Sequence, residues 1–280
     1  MTESGVSCRN LRPAPLSNTA TKYESSMRRL IRLFSACLLL LGAACSTAPP
    51  ALNHDGPQLT TVDNAWTRGA RTSLIDPSPA WQHRHFPGKQ ATQYVYARLD
   101  GRDAMAVSAV SSASMLRQAL HIEPQDLGRV KFSWKVPALI AEADLALRDA
   151  ADSPVRIVLA FAGDRTRFSA RNAMLSELSH ALTGEPLPYA TLMYVWCNTR
   201  APGTVIVSPR TDRVRELVVE SGGKNLSQWL DYERDIRADF ETAFGEPPGA
   251  LLGIGIMTDS DNTHASTQAW YGQLHLSALR

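Results

Sequence analysis

The chain is short of usable cysteine, of net charge and of complete catalytic motifs, and each shortage excludes something. Four cysteines occur in 280 residues. Cys8 and Cys37 fall inside an N-terminal stretch that reads as a leader, and Cys45 stands at its end. Cys197 is then alone, so no intrachain disulfide framework can form. It closes the apolar run Ala190–Cys197 and reads as a buried, inert thiol rather than a nucleophile. Basic charge is also missing once the leader is set aside. The whole chain has 29 basic and 27 acidic residues, of which residues 1–44 hold six and two, leaving 23 and 25. A domain of net charge −2 gives nucleic-acid binding no electrostatic support. No His-Glu-x-x-His, Gly-x-Ser-x-Gly, Walker loop or full dinucleotide fingerprint is present. Gly253-Ile-Gly255 lacks the third glycine and precedes no helix, which fits close strand packing instead.

What is present begins with an export pattern. Arg28, Arg29 and Arg32 precede the apolar core Leu33–Leu41, which is too short to span a bilayer, and Gly42-Ala43-Ala44 lead into Cys45. This resembles the lipobox of bacterial lipoproteins, with Gly42 where leucine is commoner. The resemblance implies lipidation of Cys45, and Ser46 after it implies sorting to the outer membrane. Met27, directly before the basic residues, is the expected start of translation. Residues 1–44 are thus read as extension and signal. Residues 45–80 are read as lipidated cysteine and flexible tether, since Ser46–Ser78 is rich in Pro, Thr, Asn, Asp and Gly. Residues 81–280 are read as the folded domain.

Short strands dominate that domain. Thr92–Leu99 and Ala104–Val110 flank an Asp100-Gly101 turn, a hairpin signal. Arg129–Val136 alternates, and Val155–Phe161, Ala190–Trp196, Thr204–Val207, Arg213–Glu220, Leu251–Met257 and Thr267–Leu276 complete the strands. The step in Arg213–Glu220 predicts a bulge. Two helices are expected, at Asn172–Leu182 and at Asp231–Phe244, the second from Tyr232, Ile236, Phe240 and Phe244 at four-residue spacing. Many strands with helices only as insertions predict a mainly β fold, a jelly-roll-like β-sandwich with one or two inserted or packed helices.

The candidate site is the polar loop Thr258–Thr267. Asp259, Asp261, Asn262 and Thr263 offer the alternate acids and oxygens that suit a hard cation such as calcium, with Asp259 and Asp261 as the metal ligands. It is not an EF-hand, because His264 stands where glycine is needed and Trp270 where glutamate is. The alternative is structural: Asp and Asn side chains bond their own backbone and stabilise turns. Trp229, beside the Ser221–Ser227 loop, is the best exposed aromatic for stacking a sugar, and Tyr271 joins the ligand-binding set. Trp134, Trp196 and Trp270 read as core. His83-Arg-His85 reads as surface more than metal site. Glu142-Ala-Asp144 resembles the start of the E-x-D-x-x-E signature of lectin-fold glycan hydrolases, but Leu147 replaces the third acid.

Tyr194-Val195-Trp196, Ser221-Gly222, Trp229, Glu233-Arg234, Ala243-Phe244-Gly245-Glu246 with Pro248, Thr258-Asp-Ser-Asp-Asn-Thr263 and Tyr271-Gly272 occur in this order. They resemble the bacterial domain-of-unknown-function family numbered 3047, over about Trp81–Leu276. Gln273 departs from the acid common there. The resemblance implies an exported bacterial protein and no activity. The resulting expectation is an outer-membrane lipoprotein, held to the membrane by its lipid anchor, with a non-catalytic, carbohydrate-binding-like domain. Its expected partners are an envelope glycan or an envelope protein, and nucleic acid is excluded. Two alternatives stay open: a carbohydrate-active hydrolase or lyase using Asp152, Glu220 and Asp261, and a structural envelope lipoprotein without a small ligand.

Overall fold

Asp100 and Gly101 both adopt left-handed backbone, with φ of 52° and 78°, the pairing that a two-residue hairpin turn demands. The hairpin they close is one of many in a computed structural model that describes residues 59–72 and 78–277. The leader, Cys45 and residues 46–58 lie outside the described residues. In chain order the first elements are β1 (Leu59–Val62), α1 (Ala65–Gly69), β2 (Arg71–Thr72), β3 (Trp81–His85), β4 (Gln93–Leu99), β5 (Arg102–Val110) and β6 (Ala113–Ile122). Next come β7 (Arg129–Lys135), β8 (Ser153–Phe161), α2 (Ala170–Thr183), β9 (Ala190–Cys197), β10 (Val205–Val207) and β11 (Val214–Ser221). The last are β12 (Leu230–Asp235), α3 (Ile236–Phe244), β13 (Leu251–Asp259), β14 (Ser266–Tyr271) and β15 (His275–Ser277).

The strands form two sheets. The larger runs β1-β3-β6-β13-β8-β9-β11-β10, and the smaller runs β2-β15-β7-β14-β5-β4 with β12 on the other edge of β7. Among the segments that pass from one sheet to the other are β5 into β6, β7 into β8, and β13 into β14. These three lie side by side in both sheets, since β13 pairs with β6 and β8 while β14 pairs with β5 and β7. This antiparallel wrap makes the fold a mainly β sandwich of jelly-roll type, as expected. The one parallel pair in the larger sheet is β9 with β11, whose register slips between Val218 and Glu220, the expected bulge.

One apolar core fills the space between the sheets. Trp134, Phe132, Leu116, Ile157, Leu159, Tyr194 and Ile256 contribute to it, with Phe240 from α3 packed on Phe161. Gly255 lies so close to β6 that a Cβ would sit 3.0 Å from the Leu116 carbonyl, so the glycine pair does serve strand packing.

Three expectations change, and one strand is unexpected. Residues 59–72, read as tether, instead give β1 and β2, which edge the two sheets, and α1, whose Trp66 is fully buried. The helix read from Asp231 starts five residues later. Leu230–Asp235 pairs along β7, and Asp235, not Asp231, caps α3 by accepting from the Ala238 amide at 3.0 Å. Four-residue spacing fits either element, because i and i+4 share a face in a strand as well as a helix. β6 carries no expectation and is the larger sheet's link to β3. Last, the closing strand breaks at Gly272–Leu274, so Trp270 faces outward and partly exposed while Leu274 and Leu276 face the core.

Candidate functional site

The loop singled out in the sequence is the corner where β13 leaves the larger sheet for the smaller. It is built around Asp152, at the end of the connection from β7 to β8. The buried Asp152 carboxylate accepts four hydrogen bonds. Asn262 supplies its backbone amide at 3.2 Å and its side-chain amide at 3.0 Å. Thr263 supplies its amide at 2.7 Å and its hydroxyl at 2.6 Å. The third crossing strand joins the same corner, for the Ser111 amide donates to the Ala265 carbonyl and the Ser260 amide to the Ser112 carbonyl.

Asp259 is buried beside it. Its Oδ1 accepts from the Ser153 amide at 3.0 Å and from Arg156 Nε at 2.9 Å. Arg156 is buried too, donates to Glu216 and to the Ala151 carbonyl, and so ties β8, β11 and β13 together. Burial raises the Asp259 and Glu216 carboxyls, and Arg156 opposes the rise. Burial works against the Arg156 cation, but the two carboxylates outweigh it and raise its pKa. Two acids share one guanidinium here, and Glu216 Oε2 has no hydrogen-bond partner among the described residues.

Asp152, Asp259 and Asp261 bring ligand oxygens within 4.8 Å of one another, the one such group of metal-ligating side chains among the described residues. The sequence placed Asp259 and Asp261 together as metal ligands and named Asp152 with Asp261 for the hydrolase alternative alone, not as a third ligand, because it lies more than a hundred positions away. Each acid already has partners: Asp152 the four donors, Asp259 Arg156, and Asp261 an ion pair with Lys89. Tyr271 does not line a surface. It is fully buried, and its hydroxyl donates to the Met257 carbonyl at 2.6 Å and accepts from the Arg156 amide at 3.1 Å. Glu220 is elsewhere, accepting from the Tyr232 hydroxyl at 2.8 Å, so the three acids named for a hydrolase do not converge. Asp144 pairs with Arg200 on a turn. His83 packs edge-on against His85 and bonds Ser114 Oγ at 2.8 Å, with no acid or cysteine gathered to make a metal site among the described residues.

A second region lies on the outer face of the smaller sheet. Alternation aims Lys131, Ser133 and Lys135 of β7 outward, and Asp231 and Glu233 of β12 beside them. The tip of the β4–β5 hairpin reaches over these strands. Arg102 grips Asp231 with two hydrogen bonds, at 2.6 and 3.1 Å. Asp100 Oδ2 accepts from Lys135 Nζ at 2.7 Å and from Trp229 Nε1 at 3.1 Å. The Arg102 guanidinium sits 5.2 Å from the Trp229 ring centroid. Under the tip is a cleft of about 600 Å³, lined among others by Lys131, Ser133, Asp231, Glu233, Gln273 and His275. Gly272 floors it: a Cβ there would lie 2.1 Å from Ser133 Oγ. Trp270, one strand over from Lys135 in register, faces the same side. Of this region the sequence singled out Trp229 for sugar stacking and Gln273 as the departure from the acid common in the resembled family. The rest is assembled by strand pairing across more than a hundred residues.

The structure thus defines a β-sandwich protein with one rigid, hydrogen-bonded corner and one open polar cleft. The chain belongs to the family described as protein of unknown function (DUF3047), whose profile matches residues 79–275. No curated protein matches it. Among solved structures it is similar to the family 11 carbohydrate-binding module of a cellulosomal cellulase of Clostridium thermocellum, at 9% identity and a TM-score of 0.36, covering 80% of this chain and 96% of that one. It is also similar to the xyloglucanase domain of NopAA, a type three effector from Sinorhizobium fredii, in complex with cellobiose. There the identity is 8% and the TM-score 0.37, with 73% of this chain and 96% of that one covered.

Proposed function

We propose that this is an exported, lipid-anchored protein of the bacterial outer membrane that binds an envelope polysaccharide without cleaving it, in the cleft beneath the β4–β5 hairpin tip. The observation that carries the reading is the cleft itself. Its volume of about 600 Å³ falls within the range of small-ligand sites. Its wall alternates donors and acceptors, as a ring of sugar hydroxyls requires, and Arg102 in that wall lies against the partly exposed Trp229, an aromatic suited to sugar C–H groups. Arg102, Asp231, Asp100 and Lys135 already hold one another, so little side-chain freedom is lost when a ligand lies against them. The export pattern ending at Cys45 supports the location.

Binding is favoured over hydrolysis by the state of the acids. Asp231 is paired with Arg102, and Glu233 with Arg129 and Lys131. A glycosidase acid needs the opposite setting, an apolar one that keeps its proton in place. Calcium at Asp152, Asp259 and Asp261 is the finer reading of the corner. Arg156 and Lys89 already supply cations there, so we read the corner as a cross-link first.

The test is retention of the chain on peptidoglycan and a panel of polysaccharides, with the supernatant assayed for released sugars. Trp229→Ala and, separately, the exposed Lys131→Ala are expected to weaken retention about ten-fold, roughly 1.4 kcal/mol. Released sugars, or retention that neither variant changes, overturns the reading.

A further inference from the structure

The cleft beneath the β4–β5 tip has one open end. Its far end is shut by Asp100, whose Oδ2 ties the tip to Lys135 and to Trp229, and the Lys135 side chain is 20% exposed. Arg102 shuts the side above β12 through its two bonds to Asp231. Gln273 shuts the opposite side. Its Nε2 donates to the Ala65 carbonyl at 3.4 Å, and its side chain fills the space that a Cβ on Gly69 would take, so α1 backs this wall. Ser133 and Gly272 form the floor, and Gly101 and Asp103 line the cleft from the hairpin. The remaining side is bounded by Lys131, Glu233 and His275. There the Lys131 and Glu233 side chains are 58 and 42% exposed. A chain that passes through a site needs two mouths. This cleft has one, and it suits a chain that ends inside it.

The lining offers no free charge. Its fixed charges are Arg102 and Lys131 against Asp103, Asp231 and Glu233. Arg102 holds Asp231, and Glu233 takes Lys131 and Arg129. Asp103 accepts from the Tyr96 hydroxyl at 2.7 Å. The Ser133 hydroxyl and the His275 ring, by contrast, make no hydrogen bond among the described residues. Burial and the neighbouring Lys131 lower the His275 pKa, so its ring is neutral at neutral pH and offers one donor and one acceptor. A hydroxyl and a neutral imidazole match sugar hydroxyls, which each give and take a hydrogen bond. A carboxylated or sulfated sugar has to break an ion pair to find a cation here.

We propose that the cleft captures the uncharged end of a glycan chain, with Ser133 and His275 on the hydroxyls of its terminal sugars. The inference rests on the glycan-binding reading and adds to it the part of the glycan that binds, a terminus rather than an internal segment. A volume of about 600 Å³ suits a ligand of drug size, about two or three sugar rings. Each bound molecule then occupies one chain end, so a long polymer offers few sites for its mass and a short one many.

The test is isothermal titration of the full chain with dextran, amylose and a soluble β-1,4-glucan, each in a short and a long fraction about ten-fold apart in length, with alginate as the acidic comparison. The mass of neutral glycan needed for saturation is expected to rise about ten-fold from the short fraction to the long one, because only ends count. His275→Ala is expected to weaken binding of the short fraction about ten-fold at an unchanged melting temperature. Asp100→Gly keeps the turn, since glycine takes the same positive φ, but unties the far end and is expected to cancel the length dependence. Equal saturating mass at both lengths overturns end capture and leaves glycan binding standing. Tighter binding of alginate than of every neutral glycan overturns the uncharged class. Length dependence that neither variant changes puts the capture elsewhere on the molecule and overturns the assignment to this cleft. Binding of no glycan at all removes the reading on which the inference rests, and the inference with it.

Discussion

Asp152 accepts four hydrogen bonds, and an asparagine in its place offers one acceptor oxygen and turns two N–H groups toward the other donors. Asp152→Asn should therefore cost about 2–4 kcal/mol in urea unfolding, since bonds to a buried charge are each worth roughly 1.5–3 kcal/mol. The loss should be the same in calcium and in EDTA. A calcium-dependent rise in the native chain that Asp152→Asn abolishes would reinstate a cation at the corner. A second residue sets the acid behaviour. Burial, helped by His85, lowers the His83 pKa from 6.5 to about 4. The stability it gives is present above pH 6.5 and is lost as pH falls toward 4. Partial exposure limits it to roughly 1–2 kcal/mol. His275, also lowered by burial, acts in the same direction, whereas the raised Asp259 and Glu216 act against it. His83→Gln should flatten the decline between about pH 6.5 and pH 4 and leave the share of His275. An unchanged slope would show that His83 does not drive it. The sequence made the acids of the Thr258–Thr267 loop visible because they are neighbours in the chain. It hid Arg156, and it hid the part Asp152 plays at the corner, since both roles exist only once β8 lies beside β13.

Elements were legible where alternation was strict and illegible where it changed phase. β7 reads directly, with Val130, Phe132 and Trp134 inward. The closing strand does not. Gly272 breaks it, so Trp270, which shares parity with Leu274 and Leu276, ends on the other face of the sheet. No local pattern marks such a bulge beyond the glycine itself. The glycine is required by contact: its Cβ would lie 2.1 Å from Ser133 Oγ and 3.4 Å from Ser133 Cβ. Gly272→Ala should thus destabilise by about 1–3 kcal/mol. Ser133→Ala removes the clashing oxygen and leaves only the longer contact, so the double variant should recover most of the loss in a double-mutant cycle. Additive losses would show that backbone conformation, not Ser133, demands the glycine. The stretch Asp231–Phe244 fails for a different reason. A four-residue apolar spacing is common to strand and helix, and the pairing of Leu230–Asp235 with β7 decides it.

At the scale of the whole molecule, the boundary of the fold is the least legible feature. Residues 59–72 look like tether by composition, and the family profile itself begins only at residue 79. Yet this segment edges both sheets: β1 pairs with β3 of the larger, and β2 with β15 of the smaller. Between them Trp66 is fully buried, packed edge-on against Trp81 at 4.9 Å, while Trp81 Nε1 donates to the Ala70 carbonyl at 3.2 Å. Composition misses this because a segment with only Trp66, Thr67, Ala70 and Thr72 buried shows too little apolar spacing to register as an element. A chain begun at Pro79 keeps the whole family match but uncovers Trp81 and both sheet edges. Removing a buried tryptophan alone costs about 3–5 kcal/mol, a large part of the stability of a domain. The chain begun at Pro79 should therefore melt well below one begun at Asp55 and expose apolar surface to a hydrophobic dye. The two can be compared by thermal unfolding at equal concentration. Equal midpoints would mean that the sandwich closes without the segment, and that β1, α1 and β2 are an appendage rather than part of the core.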